Sequence, residues 1–165
     1  VEPIGILLAD LFDEREFIYP YYRVLEAGYT PLVIGPEERT YQAKSGFAWK
    51  AEVAAEKAPP LSGLLIPGGF APDYLRRSPG VLALVRRVAE EGKPLGAICH
   101  AGWVLISAGL VRGKRVTGFF SIRADLENAG GLYQEEGVVV DGALVTAQGP
   151  KDLPGFMRAF LGLLR

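Results

Sequence analysis

The chain has 165 residues, 49% of them apolar, and a formal net charge of −1 at pH 7. That length suits a single domain, 1–165, with a substantial core, and near-neutrality supplies no electrostatic pull toward nucleic acid or an anionic membrane. No apolar run is long enough to span a bilayer, no cationic-then-apolar start marks a signal peptide, and the lone cysteine and lone histidine are too few for a disulfide or a usual zinc site.

The expected setting is therefore a reducing cytoplasm, with no metal or other cofactor. Ile4 to Ala9 reads as an apolar first strand and Asp10 to Asp13 as a turn. Phe17, Ile18, Tyr21, Val24 and Leu25 then recur at helical spacing up to a capping Gly28, with Glu14 and Glu16 in the first turn and Pro20 further in. Thr30 to Ile34 reads as the second strand. Within the irregular stretch from Gly35 to Pro60, Tyr41 to Trp49 suits short strands or a hairpin. Leu61 to Ile66 is a further strand, ending in Pro67-Gly68-Gly69, where glycines let the backbone approach a ligand or aim an N–H into a site. Pro72 to Arg77 suits a short helical turn. Val81, Leu84, Val85 and Val88 form one helical face, closed by Gly92.

Pro94 to Ile98 is a short apolar run suited to a strand buried on both faces, and Trp103 to Ile106 continues as an apolar helix that Gly109 can end. No loop separates them, and the only cysteine and histidine fall on the join as Cys99-His100. A strand that turns straight into a helix must bend at one residue, which lifts that side chain off the sheet. This is the logic of a nucleophile elbow, and the helix N-terminus is expected to favour the thiolate. A free cysteine is more often a buried small hydrophobe, so the strand-Cys-helix context is what argues for a reactive thiol.

Beyond the elbow, Val116 to Gly118 reads as a strand, Ile122 to Asn128 as a short helix and Val138 to Val145 as a hairpin around Asp141-Gly142. Leu153, Phe156, Phe160, Leu161 and Leu164 fall on one side of a last helix. The alternation gives an α/β domain, layered with a mostly parallel central sheet, in which ligands bind outside the carboxyl ends of the strands. The Asp10 to Glu16 turn, the Gly68-Gly69 turn and Cys99 all follow strand ends and converge on one rim. Cys99 can serve there as nucleophile, with the N–H groups of His100 and Gly69 as an oxyanion hole. The proton-handling group stays open between the His100 ring and the rim carboxylates, because adjacent side chains at an elbow point apart.

The Ala97-Ile98-Cys99-His100 elbow, the Pro67-Gly68-Gly69 turn and the acidic Asp13-Glu14-Arg15-Glu16 helix start together resemble the DJ-1/ThiJ/PfpI superfamily, in particular its PfpI-like intracellular protease and deglycase branch. The resemblance extends over the chain, through Tyr19-Pro20-Tyr21, the Lys44 region and Ser121 to Gly130. It implies a flavodoxin-like three-layer sandwich and gives Glu16 the role of acid or base beside the Cys99 sulfur. It also implies that a neighbouring subunit's acid pairs with His100. Asp73 matches that acid, with a shorter reach than the usual Glu. Asp13, Lys44, Phe47 and Phe119 match pocket positions. Phe47 and Phe119 stand where relatives carry tyrosines, and phenylalanine cannot donate a hydrogen bond.

The leading function is then a cysteine-dependent enzyme of glyoxalase or deglycase type, acting on methylglyoxal or its adducts on proteins or nucleotides. An intracellular peptidase using Cys99, His100 and Asp73 is the alternative, and a redox-sensing or chaperone-like stress protein a second one. A homodimer or hexamer is implied, with no specific nucleic-acid or membrane partner.

Overall fold

A computed structural model describes residues 1–164. In chain order its strands are β1 (Ile4–Leu7), β2 (Pro31–Gly35), β3 (Thr40–Gln42), β4 (Ala48–Lys50), β5 (Val53–Ala54), β6 (Gly63–Ile66), β7 (Leu95–Ile98), β8 (Arg115–Val116), β9 (Leu132–Tyr133), β10 (Val138–Asp141) and β11 (Leu144–Ala147). The helices are α1 (Glu14–Glu26), α2 (Ala71–Leu75), α3 (Pro79–Glu90), α4 (Gly102–Ser107), α5 (Arg123–Asn128) and α6 (Leu153–Gly162).

Seven strands form the central sheet in the order β10-β11-β7-β6-β1-β2-β5, parallel throughout except for the β10–β11 hairpin. The reason lies in composition: β1, β6, β7 and β11 are buried at every residue, as a sheet covered on both faces demands. One cover is α1 with α6; the other is α2 and α3 with α4. The sandwich is thus three-layered and flavodoxin-like. Because β1 pairs with β2 on one side and β6 on the other, the chain reverses its direction across the sheet there, which opens a crevice above the carboxyl ends.

Several local expectations change. The apolar side of α6 is Leu153, Phe156, Met157 and Phe160, whereas Leu161 and Leu164 are only partly buried. Asp141 pairs with Leu144, so the hairpin turn is Gly142-Ala143 with Gly142 at φ +61°, the sign a primed turn needs at its first central residue. The expected strand at Val116 to Gly118 is only Arg115–Val116, and it pairs with β9 outside the main sheet. β5 carries no alternation that would mark it in advance. Its two residues are set by pairing with Ile34 and Gly35.

Phe156 is 1% exposed, and its ring fills the space over Gly96 of β7, with Cζ 2.8 Å from where a Cβ at that position would lie. This seats α6 on the strand that carries the elbow. Phe156→Ala should cost about 3–5 kcal/mol, seen as a lower urea midpoint at unchanged slope. A loss below about 1 kcal/mol would mean that this contact does not hold the layer.

Candidate active site

Three strand ends build the site. Cys99 follows β7 directly, in a one-turn 3-10 segment that runs into α4. Its φ is +63°, a left-handed conformation that costs a residue with a Cβ roughly 1–2 kcal/mol. Neighbouring bonds hold the bend, among them Phe119 N–H to the Cys99 carbonyl at 3.0 Å. The sulfur lies 3.4 Å from His100 Nδ1.

The turn after β6 is zipped to the turn after β1. Phe12 and Gly69 form a bridge, Asp13 N–H donates to the Gly68 carbonyl at 3.2 Å, and Phe70 N–H donates to the Leu11 carbonyl at 2.9 Å. Gly69 sits at φ +82°, and a Cβ there would lie 2.5 Å from Asp13 N, so only glycine fits. Gly68 is equally constrained for a different reason. A Cβ on it would fall 2.5 Å from Glu16 Oε1 and 2.9 Å from the Cys99 Cβ. The missing side chain is what allows Glu16 and Cys99 to meet.

Asp13 begins α1 as its N-cap, with Oδ1 accepting from Arg15 N at 2.9 Å and Glu16 N at 3.3 Å. Its Oδ2 is bound by Arg15 Nη2 at 2.7 Å. Burial pushes its pKa up, but the Arg15 contact and the capped amides outweigh that and leave it below the usual carboxylate range. Three residues on, Glu16 is 1% exposed; Oε1 accepts from Gly68 N–H at 2.8 Å, and buried Oε2 has no partner. Burial first, then the Asp13 charge, raises its pKa from 4.5 to about 7 against the opposing Gly68 amide.

The thiol moves the opposite way from the sequence expectation. Burial, then the Glu16 charge, raises Cys99 to about 12, against the His100 and Gly69 amides that favour the thiolate. The correction has a physical cause: the dipole of the short α4 is outweighed by desolvation, as Cys99 is only 9% exposed. The site rests as a neutral thiol beside a carboxyl that titrates near neutrality.

His100 is also corrected. Its ring turns back toward the sulfur instead of away, stacked on Phe119 at 4.8 Å between centroids and met edge-on by Trp103 at 5.0 Å. Its Nε2 lies 3.3 Å from Ser121 Oγ. Burial lowers its pKa. Asp73, on α2, is paired with Arg77 and has no hydrogen bond to His100.

Of the expected pocket residues, Phe119 covers the His100 ring and borders a cavity of about 520 Å³ shared with Arg15, Phe120, Glu135, Gln148 and Lys151. Phe47 belongs to an aromatic cluster, its ring 6.3 Å from Phe12 and 6.1 Å from Trp49. Lys44 is exposed on the β3–β4 turn, in a separate recess with Asp10 and Arg39. Asp13 acts on the site through Glu16, as cap and as charge. Sequence reasoning missed Ser121 as a neighbour of His100, since no spacing rule links positions so far apart.

The raised carboxyl has a stability consequence. Folded Glu16 holds its proton up to about pH 7 and unfolded Glu16 only to about 4.5, so its contribution is complete below 4.5 and is lost as pH rises through 7. Glu16→Gln should therefore gain about 3 kcal/mol over the parent near pH 8 and little near pH 4, read by urea unfolding. An equal gain at both pH values would contradict the raised carboxyl.

The DJ-1/PfpI family model matches residues 3–163. Deglycase PH1704 of Pyrococcus horikoshii is 37% identical over 161 residues, 96% of this chain and 97% of that protein. YraA of Bacillus subtilis, which carries the words cysteine protease in its name, is 39% identical over 165 residues, 98% of each chain. A solved two-domain protein of Anabaena variabilis with DJ-1/ThiJ/PfpI-like and ferritin-like domains superposes with a TM-score of 0.95 at 37% identity. That match covers 98% of this chain and 48% of the larger protein.

Proposed function

The chain belongs to the DJ-1/PfpI family, and from that membership and the Cys99–Glu16 geometry we propose that it is a cysteine-dependent enzyme of the deglycase type. It would act on methylglyoxal or the adducts that aldehyde makes on amines and thiols. One observation carries the proposal. A fully buried carboxyl with one oxygen bound and the other unpartnered lies against the elbow cysteine, where a proton must move twice.

In the proposed reaction, the Cys99 sulfur bonds to the aldehyde carbon while its proton passes to Glu16. The carbonyl oxygen, held by the His100 and Gly69 amides, takes that proton and gives a hemithioacetal. Glu16 then removes the proton on the sulfur-bearing carbon and returns it to the neighbouring carbon, while the hydroxyl proton passes from the first oxygen to the neighbouring carbonyl oxygen. The product is a 2-hydroxyacyl thioester, which water cleaves to lactate and the free thiol. With an amine adduct the same hemithioacetal forms as the C–N bond breaks, and the amine leaves with the thiol proton. A carboxyl near pH 7 is suited to both giving and taking a proton at neutral pH. Catalysis is expected to fall as the pH drops through about 7, since isomerisation needs the carboxylate.

The peptidase alternative draws on the 3.4 Å Cys99–His100 contact, but amide cleavage also needs an acid behind the histidine, which the family resemblance takes from a neighbouring subunit. The redox alternative needs an exposed thiol of low pKa, the reverse of the Cys99 environment. The proposal retains a reducing cytoplasmic setting and a homo-oligomer, for which exposed Tyr19, Tyr22 and Leu25 on α1 offer an apolar face.

Lactate formation from methylglyoxal, followed by proton NMR, tests the reading. Cys99→Ala should fall to background, and Glu16→Gln by about a hundredfold or more. Turnover that persists in Cys99→Ala, or none by the reduced parent on either methylglyoxal or its adducts, would overturn it.

A further inference from the structure

Among the described residues of this chain, no carboxylate is hydrogen-bonded to His100. Asp125, whose charge is felt at the ring, accepts from Trp103 Nε1 at 2.9 Å, and Asp73 is paired with Arg77. The group at the outer nitrogen is instead a hydroxyl from the segment after β8, Ser121 Oγ, 3.3 Å from Nε2. The inner nitrogen, Nδ1, faces the sulfur at 3.4 Å. Phe119 on one face and Trp103 at the edge restrain rotation of the ring between these two contacts.

We propose that Ser121 is a positioning residue that accepts the Nε2 proton of His100 and so keeps Nδ1 unprotonated toward the Cys99 sulfur. The argument is one of donors and acceptors. A neutral thiol that faces Nδ1 at 3.4 Å can offer the ring its own proton. A neutral imidazole that accepts at Nδ1 must carry its hydrogen at Nε2, and that hydrogen needs an acceptor. Ser121 Oγ supplies it.

Deprotonation by this route is balanced. With an amine adduct the thiol proton moves to Nδ1 rather than to Glu16, the imidazolium then donates from both nitrogens, and the sulfur lone pair attacks the carbinol carbon as its C–N bond breaks. For an adduct substrate, Nδ1–H is placed to protonate the departing amine. His100 thus gains a role on the leaving-group side, separate from the isomerisation assigned to Glu16. Ser121 would serve in the chain the orienting role that the family resemblance gives to a neighbouring subunit's acid. The inference rests on Cys99 as the nucleophile but not on the identity of the carbonyl substrate. The ionisable groups around the Cys99–His100 pair are Glu16, Asp13 and Arg15 from the α1 side, Asp125 from α5, and Arg76 across Trp103.

Because the chain has one histidine and one cysteine, both readouts are free of overlap. The His100 tautomer is read by side-chain ¹⁵N NMR and Cys99 reactivity by iodoacetamide alkylation across pH, in the parent, Ser121→Ala and Ser121→Thr. Neither readout requires carbonyl turnover, so a failed deglycase assay would leave this test intact. The parent should hold the Nε2–H tautomer. Ser121→Ala should mix the tautomers and slow neutral-pH alkylation by roughly fivefold to tenfold, the scale of a net hydrogen bond, while Ser121→Thr stays within about twofold. An Nδ1–H tautomer in the parent, or parent-like alkylation in Ser121→Ala, would overturn the proposal.

Discussion

Glu16 sits where three parts of the fold must agree. Its carboxyl is anchored by the Gly68 amide, a contact that exists only because the β1 and β6 turns are zipped through Phe12, Asp13 and Gly69. The same Gly68 lacks the Cβ that would separate the carboxyl from Cys99. Sheet order makes this possible, since β1, β6 and β7 are neighbours whose carboxyl ends lie side by side. Burying a carboxyl with one oxygen unpartnered destabilises the fold, and the raised pKa is the form that cost takes.

Strain and desolvation are concentrated in the same few residues. Among the described residues, Cys99 and Leu11 are the non-glycine residues with positive φ, one at the elbow and one in the turn that clasps Gly69 and Phe70. A thiol pushed up to about 12 is a poor nucleophile until its proton has somewhere to go, and Glu16 and the His100 ring both border it. Protonation of Glu16 removes the second largest cause of the thiol's elevation, so proton transfer from sulfur to carboxyl eases the charge it creates. A buried carboxyl that costs stability near neutral pH beside the elbow cysteine fits the usual trade between stability and activity under the proposed mechanism.

Much of this was legible in the sequence where the signal is local. The buried strands, the Cys99 bend with no loop around it, the Gly68-Gly69 turn and the Glu16 position in the first turn of α1 follow from periodicity and spacing. What failed was whatever depends on the balance of an environment. A helix N-terminus next to a cysteine reads as activating, yet the sequence does not show that the helix is short and the sulfur nearly enclosed. The sequence left open whether the His100 ring meets the sulfur, because adjacent side chains at an elbow point apart; the left-handed Cys99 in a 3-10 turn brings the two together. Lys44 and Phe47 stand at matching positions of the family pattern but lie in a surface recess and an aromatic cluster. Ser121 reaches His100 only through tertiary folding.

The most direct test of the account is to quench the reduced protein in acid during turnover of methylglyoxal and measure by mass spectrometry which peptide carries the aldehyde. The account expects one equivalent on the peptide containing Cys99, formed no more slowly than lactate appears and lost when methylglyoxal is exhausted. Lactate produced while Cys99 stays unmodified throughout would contradict covalent carbonyl chemistry at the elbow.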